Sequence, residues 1–260
     1  MSPLPTFYIS HGGGPCFFMP DPRGLWTGLG NFLAGIGSSL PRTPSAVLVI
    51  TAHWEAPVVT IGATASPQLI FDYCGFPPET YELEYSAPGS PAVAARIARA
   101  LEAAGIEHVV DPSYGWDHGV FVLLKVMYPA ADLPIVAMSL RQDLDPAHHL
   151  AVGRALHLLR DDVLIVGSGS SYHNLSDFAH EPAQRFDDWL SETLPFPGPD
   201  RSRALERWAS APGARHSHPR EEHLIPLMVA AGAAESEPGD AVFRGAVLGV
   251  TMSCWRFGAD

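Results

Sequence analysis

Basic side chains are scarce in this 260-residue chain: 16 Lys and Arg stand against 28 Asp and Glu, a formal charge of −12. Nucleic acids and anionic membranes are both gripped by clustered Lys and Arg, so neither is an expected partner. Cysteine is nearly absent too. Cys16, Cys74 and Cys254 lie far apart with no CxxC spacing, which excludes a zinc-finger framework and suits free thiols in a reducing compartment. No apolar run approaches the roughly 18 residues that span a bilayer. The first residues also lack a basic stretch followed by a long apolar one. The expectation is a cytoplasmic globular protein. Two catalytic signatures are missing as well. There is no Gly-x-Ser-x-Gly elbow, so His11-Gly12-Gly13-Gly14 is not paired with an esterase nucleophile. Gly167-Ser168-Gly169-Ser170-Ser171 lacks the lysine of a Walker loop and the third glycine of a dinucleotide fingerprint.

The chain does have apolar segments of the right length for strands. They cover about residues 5–10, 46–52, 58–62, 134–139, 163–168 and 245–251, and most are rich in β-branched side chains. Helical patterns lie between them. One opens at Ser90-Pro91 and stops at Gly105; others are expected over 119–128, 146–159, 182–194 and 219–232. Strands interleaved with helices predict an α/β layered fold around a largely buried sheet. With 47% hydrophobic residues, the whole of 1–260 is long enough to form one domain with a substantial core. The Pro-rich stretches 65–90 and 195–218 read as structured loops beside a site, the second including a loop or short helix over the surface.

Histidine is abundant, with 12 in the chain. Two of them close apolar strands, in Phe7-Tyr8-Ile9-Ser10-His11 and in Val49-Ile50-Thr51-Ala52-His53. Strand carboxyl ends are where α/β folds place ligand sites. Two imidazoles at neighbouring strand ends would suit one divalent metal; the alternative for each is a core histidine bonded to a carbonyl. His223 follows Glu221-Glu222 and precedes Pro226. A helix starting near Pro219 would be kinked by Pro226, leaving a distorted turn suited to a metal ligand. A solvated helix N-terminus is the equal alternative. His173, after the serine-glycine run, and His118, in Gly115-Trp116-Asp117-His118-Gly119, could each be a general base, a donor to substrate or a helix cap. His108, His148, His149, His157 and His180 read as surface or capping residues, and His216 and His218 as exposed.

Taken in order, Ile9-Ser10-His11-Gly12-Gly13-Gly14-Pro15, Thr51-Ala52-His53-Trp54, Phe71-Asp72-Tyr73-Cys74-Gly75-Phe76-Pro77-Pro78, Gly115-Trp116-Asp117-His118-Gly119, Ser171-Tyr172-His173-Asn174-Leu175 and Glu221-Glu222-His223-Leu224-Ile225-Pro226 form a set. That set resembles the DOPA 4,5-dioxygenase group, class III extradiol ring-cleaving dioxygenases related to the protocatechuate 4,5-dioxygenase catalytic subunit. The resemblance spans essentially the whole chain. It implies a single-domain α/β sandwich around a central mixed sheet, with one divalent metal at the sheet's edge. By match of motif, His11, His53 and His223 would be the ligands. His173 would be the acid/base residue, or a fourth ligand to zinc, and His118 a polar contact to substrate or oxygen. The implied partners are a small aromatic diol and O2. The protocatechuate enzymes use two histidines and a carboxylate; here the third position is histidine with Glu222 beside it, which leaves both Fe(II) and Zn(II) open. The alternatives to ring cleavage are a non-catalytic protein that keeps the pocket and a hydrolase using zinc-bound water. Tyr73, Tyr114 and Trp116, with Phe76 and Tyr81, are candidates to wall an aromatic ring, and Arg215 and Arg220 to meet a substrate carboxylate.

Overall fold

Eight strands form one mixed sheet in the computed structural model of the chain, which describes residues 2–258. In chain order they are β1 (Thr6–Ser10), β2 (Ala46–Ala56), β3 (Val59–Gly62), β4 (His108–Asp111), β5 (Ile135–Arg141), β6 (Val163–Gly169), β7 (Gly239–Val247) and β8 (Val250–Phe257). Across the sheet the order is β4-β3-β5-β2-β6-β1-β8-β7. The four central strands β5, β2, β6 and β1 run parallel, and β3 and β8 flank them antiparallel. Eight helices cover the sheet: α1 (Thr27–Ser39), α2 (Pro91–Ala103), α3 (His118–Met127), α4 (Pro146–Ala155), α5 (His180–Thr193), α6 (Gly198–Glu206), α7 (Ala214–Ser217) and α8 (Ile225–Ala233). No helix among the described residues is long and apolar enough to cross a membrane.

Both faces of the central strands are buried, which is why these segments read as unbroken apolar runs. Alternate residues nonetheless part to opposite faces. Tyr8, Leu48, Ile50, Val136, Met138 and Ile165 pack in one core with residues of α2, α4 and α8. Phe7, Ile9, Val47, Val49, Ile135, Ala137, Leu164 and Val166 pack in the other with α1 and α3. Local chemistry fixes some ends. Ser90 accepts from the Val93 amide with Pro91 in the first turn of α2, and Asp145 accepts from the amides of Ala147 and His148 ahead of Pro146 in α4.

Four expectations change. The run 245–251 is the tip of the β7–β8 hairpin, turning at Leu248 and Gly249 with φ of 52° and 85°. The pattern over 146–159 divides into α4 and a 3-10 turn, His157–Asp161. Residues 195–218 hold α6 and α7 besides a 3-10 turn. The helix expected over 219–232 begins only at Ile225, so Pro226 sits in its first turn and kinks nothing. Every residue of α8 is buried, so it carries no polar stripe from which its start could be read. Two elements, β4 and α1, had no counterpart in the sequence reading.

Candidate metal centre and cavity

His11 follows β1 directly, and His53 lies inside β2, within the register shift between Ile50 and Glu55 against β5. The two strands are not neighbours: β6 runs between them. That insertion matters, because β6 delivers Ser168 beneath His11 and brings the 223–226 turn over the strand ends. Gly167 and Gly169 share the face that receives the turn. A Cβ on Gly169 would lie 2.0 Å from the His223 carbonyl oxygen, and one on Gly167 would lie 2.4 Å from that of Pro226. The glycine alternation therefore admits a close backbone approach. The Ser170 amide and the Tyr8 hydroxyl both donate to the His223 carbonyl and hold the turn there (3.0 and 2.8 Å).

Side-chain nitrogens of His11, His53 and His223 come within 4.8 Å of one another. Each ring is oriented by a fixed partner. The Ser168 hydroxyl donates to the Gly119 carbonyl (2.6 Å), so it accepts from His11 Nδ1 (2.9 Å) and leaves His11 Nε2 a bare lone pair. His53 Nδ1 faces Asp72 Oδ2 at 3.4 Å, and His223 Nδ1 faces Glu222 Oε1 at 3.1 Å. Both carboxylates are ionised. Burial works to raise Asp72 and Glu222, but the imidazole hydrogen bonds outweigh it and hold Asp72 low and Glu222 well below the usual carboxylate range. Protons thus sit on the outer nitrogens and lone pairs on the inner ones. This is the arrangement by which proteins prepare histidines for a metal.

Electrostatics agree. Burial, and then the charges of the other histidines, push His11 well below its ordinary value and His53 to about 2; burial holds His223 at about 4 against the opposing bond to Glu222. The Nε2 atoms of His11 and His53 lie 3.0 Å apart, two lone pairs with no proton to share. A cation beside both relieves that repulsion. Three neutral imidazoles suit Zn(II) and Fe(II) alike, so the residues present fit a single divalent ion.

His173 and His118 join the cluster from either side. His173 stacks on His223 with ring centroids 3.3 Å apart, and its Nδ1 bonds the same Glu222 Oε1 (3.0 Å). His118 opens α3, 4.0 Å from the His53 ring centroid, with both its amide and its Nδ1 bonded to Asp72 Oδ1. All five histidines line one cavity of about 590 Å3, together with the Gly12–Gly14 loop.

The aromatic candidates divide. Phe76 lines the cavity, whereas Tyr73, Tyr81, Tyr114 and Trp116 do not. Tyr73 donates to the Thr80 carbonyl, Tyr114 stacks on Trp54 and donates to Asp117, and Trp116 is buried beside Tyr85. Of these, Trp116 holds the 65–90 loop from outside, its backbone bonded to Gln68 and Ile70. Arg215 pairs with Glu221 and Arg220 with Glu55, both away from the lining. Two histidines expected on the surface are core residues. His149 accepts from the Arg141 amide and bonds the Asp145 carbonyl, and His218 bonds the Ser171 carbonyl. Asp72 and Ser168 were missed as orienting groups because their partners lie 46 and 157 residues away.

Comparison with known proteins gives the same direction. Residues 5–250 match the family described as the catalytic LigB subunit of aromatic ring-opening dioxygenase. "Dioxygenase tasH" of Hapsidospora irregularis is 40% identical, covering 100% of this chain and 87% of that protein. The "4,5-DOPA dioxygenase extradiol" of Beta vulgaris is 39% identical, covering 88% and 86%, and the Escherichia coli K12 protein of the same name is 34% identical, covering 88% and 85%. A crystal structure of an uncharacterized Escherichia coli K12 protein superposes with a TM-score of 0.78 at 29% identity, over 98% of this chain and 100% of the other.

Proposed function

Because the chain belongs to the family of catalytic LigB subunits of aromatic ring-opening dioxygenases, we propose that it opens catecholic rings with O2 at one divalent metal held by His11, His53 and His223. Family membership makes it an extradiol ring-opening enzyme; the metal site and the roles below are the reading its geometry supports. The observation that carries the reading is the set of inward-facing lone pairs fixed by Ser168, Asp72 and Glu222. Fe(II) bound there supplies the path for electrons between the diol and O2, which zinc lacks.

The chain's own residues handle position and protons. Glu222 keeps the His173 proton on Nδ1, so Nε2 is the ring atom left to take a proton from a diol hydroxyl and later return it. Asp72 does the same for His118, whose Nε2 is free to bond a second oxygen. Gly12, Gly13 and Gly14 carry no side chain that would bar a flat ring from approaching the histidines.

General acid–base help is worth about 10²–10⁴-fold, so His173→Ala should lose that factor in oxygen uptake with a catechol while still binding metal. Oxygen-electrode assays on anaerobically iron-loaded protein, with DOPA, catechol and protocatechuate, measure it. Undiminished uptake in the variant would remove His173 from the role, and no uptake by the fully iron-loaded parent would remove ring cleavage of these diols.

A further inference from the structure

Away from the histidines, the cavity wall bears on which catechol enters. It is built from Met19, Leu25, Trp26, Leu175, Phe178 and Met252. Leu175 and Phe178 stand at the rim, 72% and 39% exposed. The polar side chains among the lining are already spent on the protein. Ser170 donates to the Tyr172 carbonyl (2.7 Å), and Tyr172 donates to the Asp177 carbonyl. Asn174 donates to the His216 carbonyl (2.8 Å) and accepts from the Ser176 amide (3.1 Å).

Charge is distributed unevenly. Asp21 is the one carboxylate on the lining, and its oxygens accept from the amides of Leu25 and Trp26 (2.9 and 2.8 Å) and from the Thr27 hydroxyl (3.3 Å). Asp72 and Glu222 are turned to imidazoles, and Asp177 faces His216 at 3.7 Å. Arg23, by contrast, is the one Lys or Arg on the lining, and no carboxylate among the described residues pairs with it.

We infer that the preferred substrate is a catechol carrying an extended apolar substituent, neutral or ending in a carboxylate for Arg23, and not one carrying an ammonium group. This rests on the ring-cleavage reading and names its substrate class. An ammonium drawn into the cavity would meet a single carboxylate, Asp21, whose oxygens already accept three hydrogen bonds, and would share the lining with the Arg23 guanidinium, a poorer exchange for water than an apolar group makes. An apolar chain would cover the aliphatic and aromatic wall instead. A volume of about 590 Å3 lies among the roughly 300–1,000 Å3 pockets that bury drug-sized ligands, so a bare catechol would leave most of it empty.

The test is a matched substrate series on the iron-loaded protein: 4-ethylcatechol, 4-butylcatechol, 3-(3,4-dihydroxyphenyl)propanoate, dopamine and DOPA. Two added methylenes should raise kcat/KM about tenfold from ethyl to butyl. Dopamine and DOPA should fall at least about tenfold below 4-butylcatechol. Arg23→Gln should raise KM for the propanoate about threefold, and by more than for 4-butylcatechol. Leu175→Glu, at an exposed position, should close part of the gap to dopamine. Dopamine or DOPA turning over as well as 4-butylcatechol overturns the inference and leaves ring cleavage standing. If no catechol is cleaved, ring cleavage fails; anaerobic calorimetry then still decides, since equal binding of dopamine and 4-butylcatechol overturns the apolar preference.

Discussion

Replacing Glu222 asks whether one half-buried carboxylate orients two histidines. Its Oε1 accepts from Nδ1 of His173 at 3.0 Å and of His223 at 3.1 Å, and Arg220 stands 3.4 Å from Oε2. Bonds to a charged partner are worth about 1.5–3 kcal/mol, against about 0.5–1.5 kcal/mol for neutral ones. Glu222→Gln keeps an acceptor oxygen and loses the charge, which costs about 1 kcal/mol at each ring. At His223 that loss adds to the removal of an anion near the bound cation. Metal binding should therefore weaken about tenfold, the lower end of the 10–100-fold range for groups that orient ligands. Glu222→Ala leaves both ring N–H groups without an acceptor and should reach the upper end. Chelator competition on protein shown to be folded by circular dichroism reads the His223 share. Oxygen uptake at saturating iron reads the His173 share, as a lower kcat. If Glu222→Ala keeps the parent's metal affinity and kcat, the carboxylate does not set these rings, and the reasoning fails.

Other outcomes follow from the same geometry. Ser168→Ala removes the acceptor that fixes the His11 tautomer, and chelator competition should show metal binding weakened about tenfold; unchanged affinity would mean the tautomer is fixed elsewhere. Gly169→Ala places a methyl 2.0 Å from the His223 carbonyl, so the turn must move; metal affinity and melting temperature should both fall, and a fully active, equally stable variant would show that the strand and turn are not closely apposed. Metal-free protein should lose stability below about pH 6.5. Burial holds His149 near 4 and His218 near 3 in the fold, while both titrate near 6.5 when unfolded. Below 6.5 the unfolded chain binds more protons, so each group removes about 2 kcal/mol by pH 5, the loss levelling off near those folded values. Thermal melts at pH 7.5 and 5 should separate for the parent and converge partly in His149→Gln; equal melting temperatures for the parent would refute the assignment.

How far the site could be read in advance varied by residue. His11 and His53 stood at the ends of β-branched runs, a local signal that survives in any α/β context. The motif set around His118, His173 and His223 was equally visible. The cavity wall was not. Tyr114 and Trp116 looked like ring-binding aromatics in sequence, yet their rings face Trp54 and Tyr85. Met19, Leu25 and Met252 carried no motif and still face the cavity. His218 sits beside Pro219 in the chain and is fully buried.

The sequence by itself determined the α/β class, the central strands, the capped start of α2, and the histidines that could meet a metal. These depend on patterns a few residues long: continuous apolar runs, a Ser-Pro start, a histidine at a strand end. Tertiary structure alone decided that β6 lies between β1 and β2, that α8 begins at Ile225, and that Ser168, Asp72 and Glu222 turn three imidazoles inward. Each of these is set by how the strands are ordered or how closely two backbones pack. Hydrogen-bond partners up to 157 residues apart leave no trace in the spacing of either one.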